Sequence, residues 1–274
     1  MKYLTMPEAS LVTVWVAARY LHHAGPKPAS DIMITLRPSF LTEGPGMALE
    51  SSIEVAINLK LFIRGKNSKG DIRLADDLLA GSDWTISFDR FAGYVNRRIV
   101  EQAEGAEEDI SDVAQALVWL VQRDWRVPAN PFSRDGGTWR VPNPDQERAL
   151  RRWFVELGYL HPGASTFLID PTRAIRGAVW DLSGLFSARS FVEALGQAVP
   201  TGLGHALCLA LHDSDQNQSG ELSLFPSISY GVQRLVRSGK VHLSTLDDGA
   251  ERMVLHFPGE ADQPMGITHV EVIK

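Results

Sequence analysis

The sequence predicts an α+β fold, mostly helical, in which amphipathic helices are each followed by a two-stranded β-hairpin. Two patterns predict this: apolar residues recur at helical spacing in several segments, and short β-prone runs flank turns rich in Gly, Asn and Asp. Apolar residues make up 44% of the 274 positions, which is enough to build a substantial core. This length suits one large domain or two to three small ones.

We expect a first module over residues 1–82. Apolar residues at helical spacing predict helices over residues 11–21 and 48–59, and Ser30 could cap a short helix through Leu36 between them. The β-prone runs 61–64 and 71–74 lie on either side of a turn that contains Gly, Lys and Asn. This arrangement predicts a hairpin directly after the third helix.

We expect a helical segment and a second module over residues 83–182. Residues 84–126 are predicted to be helical, apart from an acidic stretch that we interpret as a solvated connector. A strong amphipathic helix follows over residues 143–157, with Pro144 suited to its first turn. The runs on either side of the turn 161–165 predict a hairpin after this helix.

We expect a third module over residues 183–274. Ser227 is placed to cap a helix over residues 228–238, which a glycine then ends. The runs 241–246 and 252–257 enclose an Asp-Asp-Gly turn. This is the clearest hairpin signal in the chain, and it predicts that the two runs pair with each other.

The helix-then-hairpin order occurs three times at unequal spacing, which argues against a solenoid and for successive small modules. A bundle of helices followed by a helix and a two-stranded wing resembles the winged helix, a variant of the helix-turn-helix. The resemblance covers most of the chain and rests on the order of the elements. It implies surfaces for docking onto DNA or protein.

The overall charge restricts how DNA could be bound. The chain has 27 Lys and Arg against 33 Asp and Glu, a net charge of −6. A protein that held double-stranded DNA mainly by its overall field would be basic. Any contact with DNA must therefore come from local cationic clusters.

The densest cationic cluster surrounds the helix predicted over residues 143–157. Three of its arginines share the face opposite the apolar one, and we call Arg148, Arg151 and Arg152 the arginine row. Guanidinium groups bind phosphates and base edges, so the row predicts a DNA contact. The alternative is a solvated helix face that pairs with nearby carboxylates. Further arginines before and after the helix extend the cluster: Arg140, Arg173 and Arg176.

Two weaker cationic clusters lie in the outer modules. The first hairpin carries four basic residues, Arg64, Lys66, Lys69 and Arg73, which could rest on a DNA backbone or be merely solvated. The third module carries Arg234, Arg237 and Lys240 on its predicted helix, although its predicted wing is acidic. We include these residues among the predicted DNA contacts.

Signatures of catalysis are missing from the sequence. It contains no phosphate-binding loop, dinucleotide-binding glycine pattern or nucleophile elbow. The stretch 213–221 resembles a calcium loop but has Gln218 and Leu224 where a glycine and a carboxylate are required. We therefore predict a non-enzymatic protein without a metal or cofactor, while catalytic residues converging from distant positions stay an open alternative.

The sequence also indicates where the protein works. A single cysteine, Cys208, has no partner for an intramolecular disulfide, as is usual in a reducing compartment. No apolar stretch approaches the roughly 18 residues of a membrane span, and the N-terminus lacks a signal-peptide pattern. We expect a cytoplasmic protein without a membrane partner.

The layout is similar to that of the DpdG-like winged-helix proteins of bacterial phage-defence and DNA-modification clusters. This resemblance rests on three features: the chain length, the excess of acidic over basic residues, and the run 34–41 that leads into the helix at residue 48. It implies a non-catalytic subunit of a restriction-like system that is linked to 7-deazaguanine DNA and works beside a helicase or nuclease. Double-stranded DNA is the partner that the cationic clusters predict. The alternative is a protein–protein adaptor similar to the tandem winged-helix subunits of SMC-type motors, favoured by the acidic balance and by seven Trp and eleven Phe.

Overall fold

The computed structural model describes residues 6, 8–37, 46–65, 70–104, 112–126, 144–163, 166–201, 222–246, 251–255 and 265–273. Over these residues the fold is α+β and mostly helical, with small β-sheets, as predicted. Several sequence predictions lie outside the described residues: Arg140, Lys66, Lys69, Cys208 and the calcium-like stretch 213–221.

The helices and the hairpin predicted in the first region are confirmed. The elements of this region are α1 (Leu11–Ala24), α2 (Ala29–Leu36), α3 (Met47–Asn58), β1 (Phe62–Arg64) and β2 (Ile72–Leu74). The strands pair antiparallel with Phe62 opposite Leu74. Lys27, in the segment between α1 and α2, forms an antiparallel bridge with Ile72 of β2 through two backbone hydrogen bonds of 3.0 and 2.7 Å.

The helix and the hairpin predicted in the second region are confirmed as well. Helix α4 (Asp76–Ala80) lies at the end of the first region, and the second region contains a 3₁₀ turn (Asp83–Thr85), α5 (Phe88–Glu104), α6 (Asp112–Val121), α7 (Pro144–Leu157), β3 (Leu160–Pro162), β4 (Phe167–Ile169) and α8 (Thr172–Ala178). Strands β3 and β4 form an antiparallel hairpin directly after α7, and Gly158 makes the turn between helix and strand with a φ of 90°. Glycine adopts this left-handed conformation without strain.

The third region departs from its prediction. Its elements are β5 (Gly184–Ser187), α9 (Ala188–Gly196), β6 (Leu222–Ser223), α10 (Pro226–Arg237), β7 (Val241–Ser244), β8 (Met253–Leu255), β9 (Met265–Ile267) and β10 (His269–Val272). The predicted pairing of the runs 241–246 and 252–257 is wrong. Strand β7 pairs with β10, whose other edge takes β5, and β8 pairs with β6 and β9.

Burial explains why the pairing differs. All three residues of β8 are buried, while Val241 is the one buried residue of β7. A strand buried on both faces needs cover that a two-stranded hairpin cannot supply. The predicted cap is also wrong, because α10 begins at Pro226 and the buried Ser227 hydroxyl donates to the Val121 carbonyl at 2.5 Å, an interaction that joins α10 to α6.

One hydrophobic cluster runs through the described parts of all three predicted modules. Helix α8 packs against both α5 and α10, so it connects the second and third regions. At the crossing of α5 and α8, an added Cβ on Gly93 would lie 3.1 Å from the backbone of Gly177. Only glycines allow so close an approach of two helix backbones. The described residues contain no helix that is long and apolar enough to span a membrane.

Candidate functional site

A groove of about 550 Å³ lies where the segment after α6, the β3–β4 hairpin, the start of α8 and one face of α10 meet. Among the described residues, four arginines line it, and we call Arg126, Arg173, Arg176 and Arg234 the groove arginines. They come from three separate segments of the chain. Asp170 is the only carboxylate among the described lining residues.

The two groove arginines of α8 are held by α5. The Asp89 carboxylate forms ion pairs with both arginines. Its Oδ1 lies 3.0 Å from Nε of Arg173, and its Oδ2 pairs with Arg176. Arg173 also donates to the Glu156 carbonyl at 2.5 Å, and its guanidinium lies 5.8 Å from the Phe88 ring centre. The contact between α5 and α8 therefore fixes where these two cations stand.

The other two groove arginines also have carboxylate partners, one nearby in the chain and one far from it. Asp124 accepts hydrogen bonds from Arg126 at 2.5 to 3.0 Å. This hydrogen bonding raises the pKa of Arg126 and lowers the pKa of Asp124. Arg234 pairs with Asp170, whose second oxygen accepts from the Thr172 backbone and hydroxyl. Each groove arginine thus has a carboxylate partner that orients its guanidinium group.

An aromatic pair forms part of the same groove. The Trp125 and Tyr230 rings stack face to face, with centres 4.1 Å apart and planes 7° from parallel. Arg234 lies 5.9 Å from the Tyr230 ring centre. The hairpin contributes the exposed side chains of His161 and Leu168 to the same groove. A concave surface with cations beside flat rings can bind an anionic group and a planar group together.

The arginine row does not form a shared surface. Arg148 is exposed and pairs with Asp145. Arg151 pairs with Glu147 and lies 5.3 Å from the Phe167 ring centre. Arg152 reaches back to the start of α1, where it donates to the buried Ala9 carbonyl at 2.7 Å. The helical spacing placed these residues correctly on α7, but packing gave each a different environment.

The remaining predicted contacts are spread over the surface. Arg64 pairs with Glu54 of α3, and Arg73 pairs with Asp76 of α4. Arg237 and Lys240 are exposed beyond the groove, at the end of α10 and in the turn that follows it. Among the predicted DNA contacts that the structure describes, three therefore lie together in the groove: Arg173, Arg176 and Arg234.

Sequence reasoning missed Arg126 and both aromatic residues. A signal was available at Tyr230 and Arg234, which stand four apart on one face of a helix, as a ring and a cation must to act together. Trp125 and Arg126 offered a second aromatic–basic pair beside a helix end. No sequence pattern showed that these two pairs would meet.

Fold and groove define the class: an α+β, mostly helical protein with a cationic groove that contains an aromatic stack. The chain belongs to the DpdG-like family, whose model matches residues 1–249. Neither the curated proteins nor the solved structures yield a significant match. No group of three or more His, Cys, Asp or Glu side chains that could hold a metal ion occurs in the part of the chain that the structure describes.

Proposed function

We propose that this protein is a non-catalytic DNA-binding subunit of the Dpd DNA-modification system. Membership of the DpdG-like family suggests a role in that system, together with other proteins. The observation that carries the DNA-binding role is the convergence of the groove arginines on one surface. Guanidinium groups that keep their charge and are held in place bind phosphates with little loss of conformational freedom.

The order of elements supports a winged-helix architecture for the third region together with α8, the last helix of the second. In this interpretation α8, α9 and α10 correspond to the three helices of a winged helix, β5 follows the first of them, and β7 and β10 follow the last. The sheet order β5–β10–β7 places the last strand in the centre, as in a winged helix. Strands β8 and β9 then belong to an extended wing, and the groove residues of α10 lie on the third helix.

The first region follows the same order in reduced form. Helices α1, α2 and α3 precede β1 and β2, and the bridge from Lys27 takes the place of the first strand beside β2. Its third helix, however, carries the acidic residues Glu50 and Glu54, which would repel phosphate. The first region is therefore the better candidate for docking onto a protein subunit.

The groove arginines can be tested by measuring DNA affinity against salt. The triple variant R126Q/R176Q/R234Q removes the most exposed of them and spares Arg173, which is tied to α7. Each lost phosphate contact lowers the slope of log affinity against log salt by about 0.9. We expect the slope to fall by about 2 to 3 if all three contact the backbone.

A matched control removes the same number of charges elsewhere. The variant R64Q/R73Q/R148Q changes three exposed arginines that were predicted from the sequence but lie outside the groove. We expect its slope to stay close to that of the unchanged protein. Equal losses in both variants would show that DNA is not held at the groove, and unchanged affinity in both would overturn the DNA-binding role.

The adaptor role is the second candidate, and the acidic third helix of the first region favours it. Reversing the exposed Glu50 to Lys tests it by co-purification of the tagged full-length protein from its own host. Loss of a co-purifying subunit with DNA affinity unchanged would assign protein docking to α3. Retention of all subunits would contradict that assignment.

A further inference from the structure

We infer that the groove binds an unpaired nucleotide, with the base stacked on the Trp125–Tyr230 pair and the phosphate held by Arg126 and Arg176. This rests on the proposed DNA-binding function and names the form of DNA that the groove takes: single-stranded or locally opened. The three steps of the argument concern shape, stacking and charge.

The shape of the groove favours a single nucleotide over a duplex. A protein reads a duplex by inserting a protruding helix or ribbon into a groove of the DNA. The surface here is the reverse, a hollow of about 550 Å³ set between a hairpin and two helices. That volume lies in the range of pockets that enclose small ligands. Proteins that bind a base in such a hollow take it out of the duplex stack.

The aromatic pair provides a platform for a base. Trp125 and Tyr230 are nearly parallel, 7° apart, and both line the groove. Each ring covers one face of the other, so a base would extend the stack from an outer face. Stacking of this kind tolerates any base because every base has a flat face, and it is the usual anchor of single-stranded nucleic acid.

The charges suit the phosphate that accompanies the base. Arg126 and Arg176 have 58% and 45% of their side chains exposed, so both can reach a ligand without leaving their carboxylate partners. Asp170 would oppose a phosphate if it were free, but Arg234 and Thr172 occupy both of its oxygens. The groove therefore presents rings and cations together, which is the combination that single strands require.

The test compares three forms of labelled DNA with the full-length protein at one salt concentration: a single strand, its duplex, and the duplex with a short mismatched bubble. We expect the single strand and the bubble to bind more tightly than the duplex. The variants W125L and Y230L keep apolar bulk but remove the flat ring. Each is expected to weaken binding of the single strand and the bubble by about 5- to 150-fold, with little change for the duplex.

Trp180 supplies a matched control. It is exposed and lies 4.5 Å from the Arg90 guanidinium, so it has the same ring-and-arginine chemistry outside the groove. We expect W180L to leave all three affinities unchanged. Equal weakening by W125L and W180L would overturn the assignment of the stacking site.

A measurement on the unchanged protein covers the case in which a variant does not fold. The fluorescent base 2-aminopurine, placed in the bubble, loses emission when it stacks on a ring. We expect quenching on binding, and unchanged emission at saturation would overturn the inference. If the duplex binds as well as the bubble, the inference fails while the DNA-binding function stands; if no DNA form binds, both fail.

Discussion

The arginine row on α7 and the groove arginines are two cationic sets with opposite origins. The row is local in sequence, and its members end in three unrelated environments: solvent, a half-buried ion pair, and the start of α1. The groove arginines are scattered through the chain, and they end on one surface. Clustering in sequence therefore says little about clustering in space when the helix that carries the residues is packed on several sides.

The comparison also separates two uses of arginine. On α7, the guanidinium of Arg152 joins elements that are far apart in the chain, and the neighbouring Glu156 carboxylate accepts hydrogen bonds from the Ser10 hydroxyl at 2.9 Å and the Leu11 backbone at 2.7 Å. These contacts attach the start of α1 to α7. In the groove, the carboxylates orient guanidinium groups that still face solvent. The first use stabilises the fold, and the second leaves oriented guanidinium groups exposed on one surface.

The largest expected effect is a difference in unfolding free energy between variants of two members of the arginine row. Changing Arg152 to Met keeps the apolar stem but leaves the buried Ala9 carbonyl without this hydrogen bond, which we expect to lower the free energy of unfolding by about 1–3 kcal/mol. The matched change of the exposed Arg148 to Met is expected to alter it by less than about 0.5 kcal/mol. Urea unfolding measures both, and equal effects would break the distinction between fold-stabilising and solvent-facing arginines.

The next effect concerns the helix crossing that positions the groove arginines of α8. Replacing Gly93 by Ala puts a Cβ 3.1 Å from the Gly177 backbone, and the two helices must move apart. We expect a loss of about 1–2 kcal/mol in unfolding free energy, although alanine is the better helix former.

Gly81 is the control for this change. A Cβ added there meets only the Trp84 side chain at an ordinary 3.8 Å. Thermal unfolding of G81A is expected to match that of the unchanged protein. A G93A protein as stable as G81A would show that α5 and α8 can separate without cost.

The smallest effect is a pH dependence at the attachment of α1 to α7. Burial raises the pKa of the Glu156 carboxyl above its ordinary value of 4.5. The stability that this shift contributes is present below pH 4.5 and is lost as the pH rises through the folded-state pKa. We expect the unfolding free energy of the unchanged protein to fall relative to that of E156Q as pH increases over this range. If urea unfolding gave parallel pH profiles for the unchanged protein and E156Q, this prediction would be wrong.

Much of the secondary structure could be predicted from local pattern. The apolar spacing of α7 and the turn that follows it placed a helix and a hairpin correctly, because amphipathic periodicity and turn chemistry act within a few residues. The pairing of β7 could not be predicted in this way. Its partner β10 lies beyond β8 and β9 in the chain, and the turn signal between β7 and β8 favoured the nearer strand.

The candidate site was predictable only in pieces. The sequence predicted three of the groove residues as DNA contacts: Arg173, Arg176 and Arg234. It assigned them to clusters around two different helices, and it did not predict Trp125, Arg126 or Tyr230. Their meeting depends on α8, a short helix packed between α5 and α10. A helix of that length carries too few residues for its periodicity to show which neighbours it will contact.

By itself, the sequence determined the α+β composition, the positions of the main helices and two of the hairpins, because these follow from side-chain periodicity and backbone preferences over short distances. Tertiary structure alone decided which strand completes the sheet of the third region and which arginines share a surface. Both outcomes depend on burial between segments far apart in the chain, where the free energy comes from fitting whole elements together.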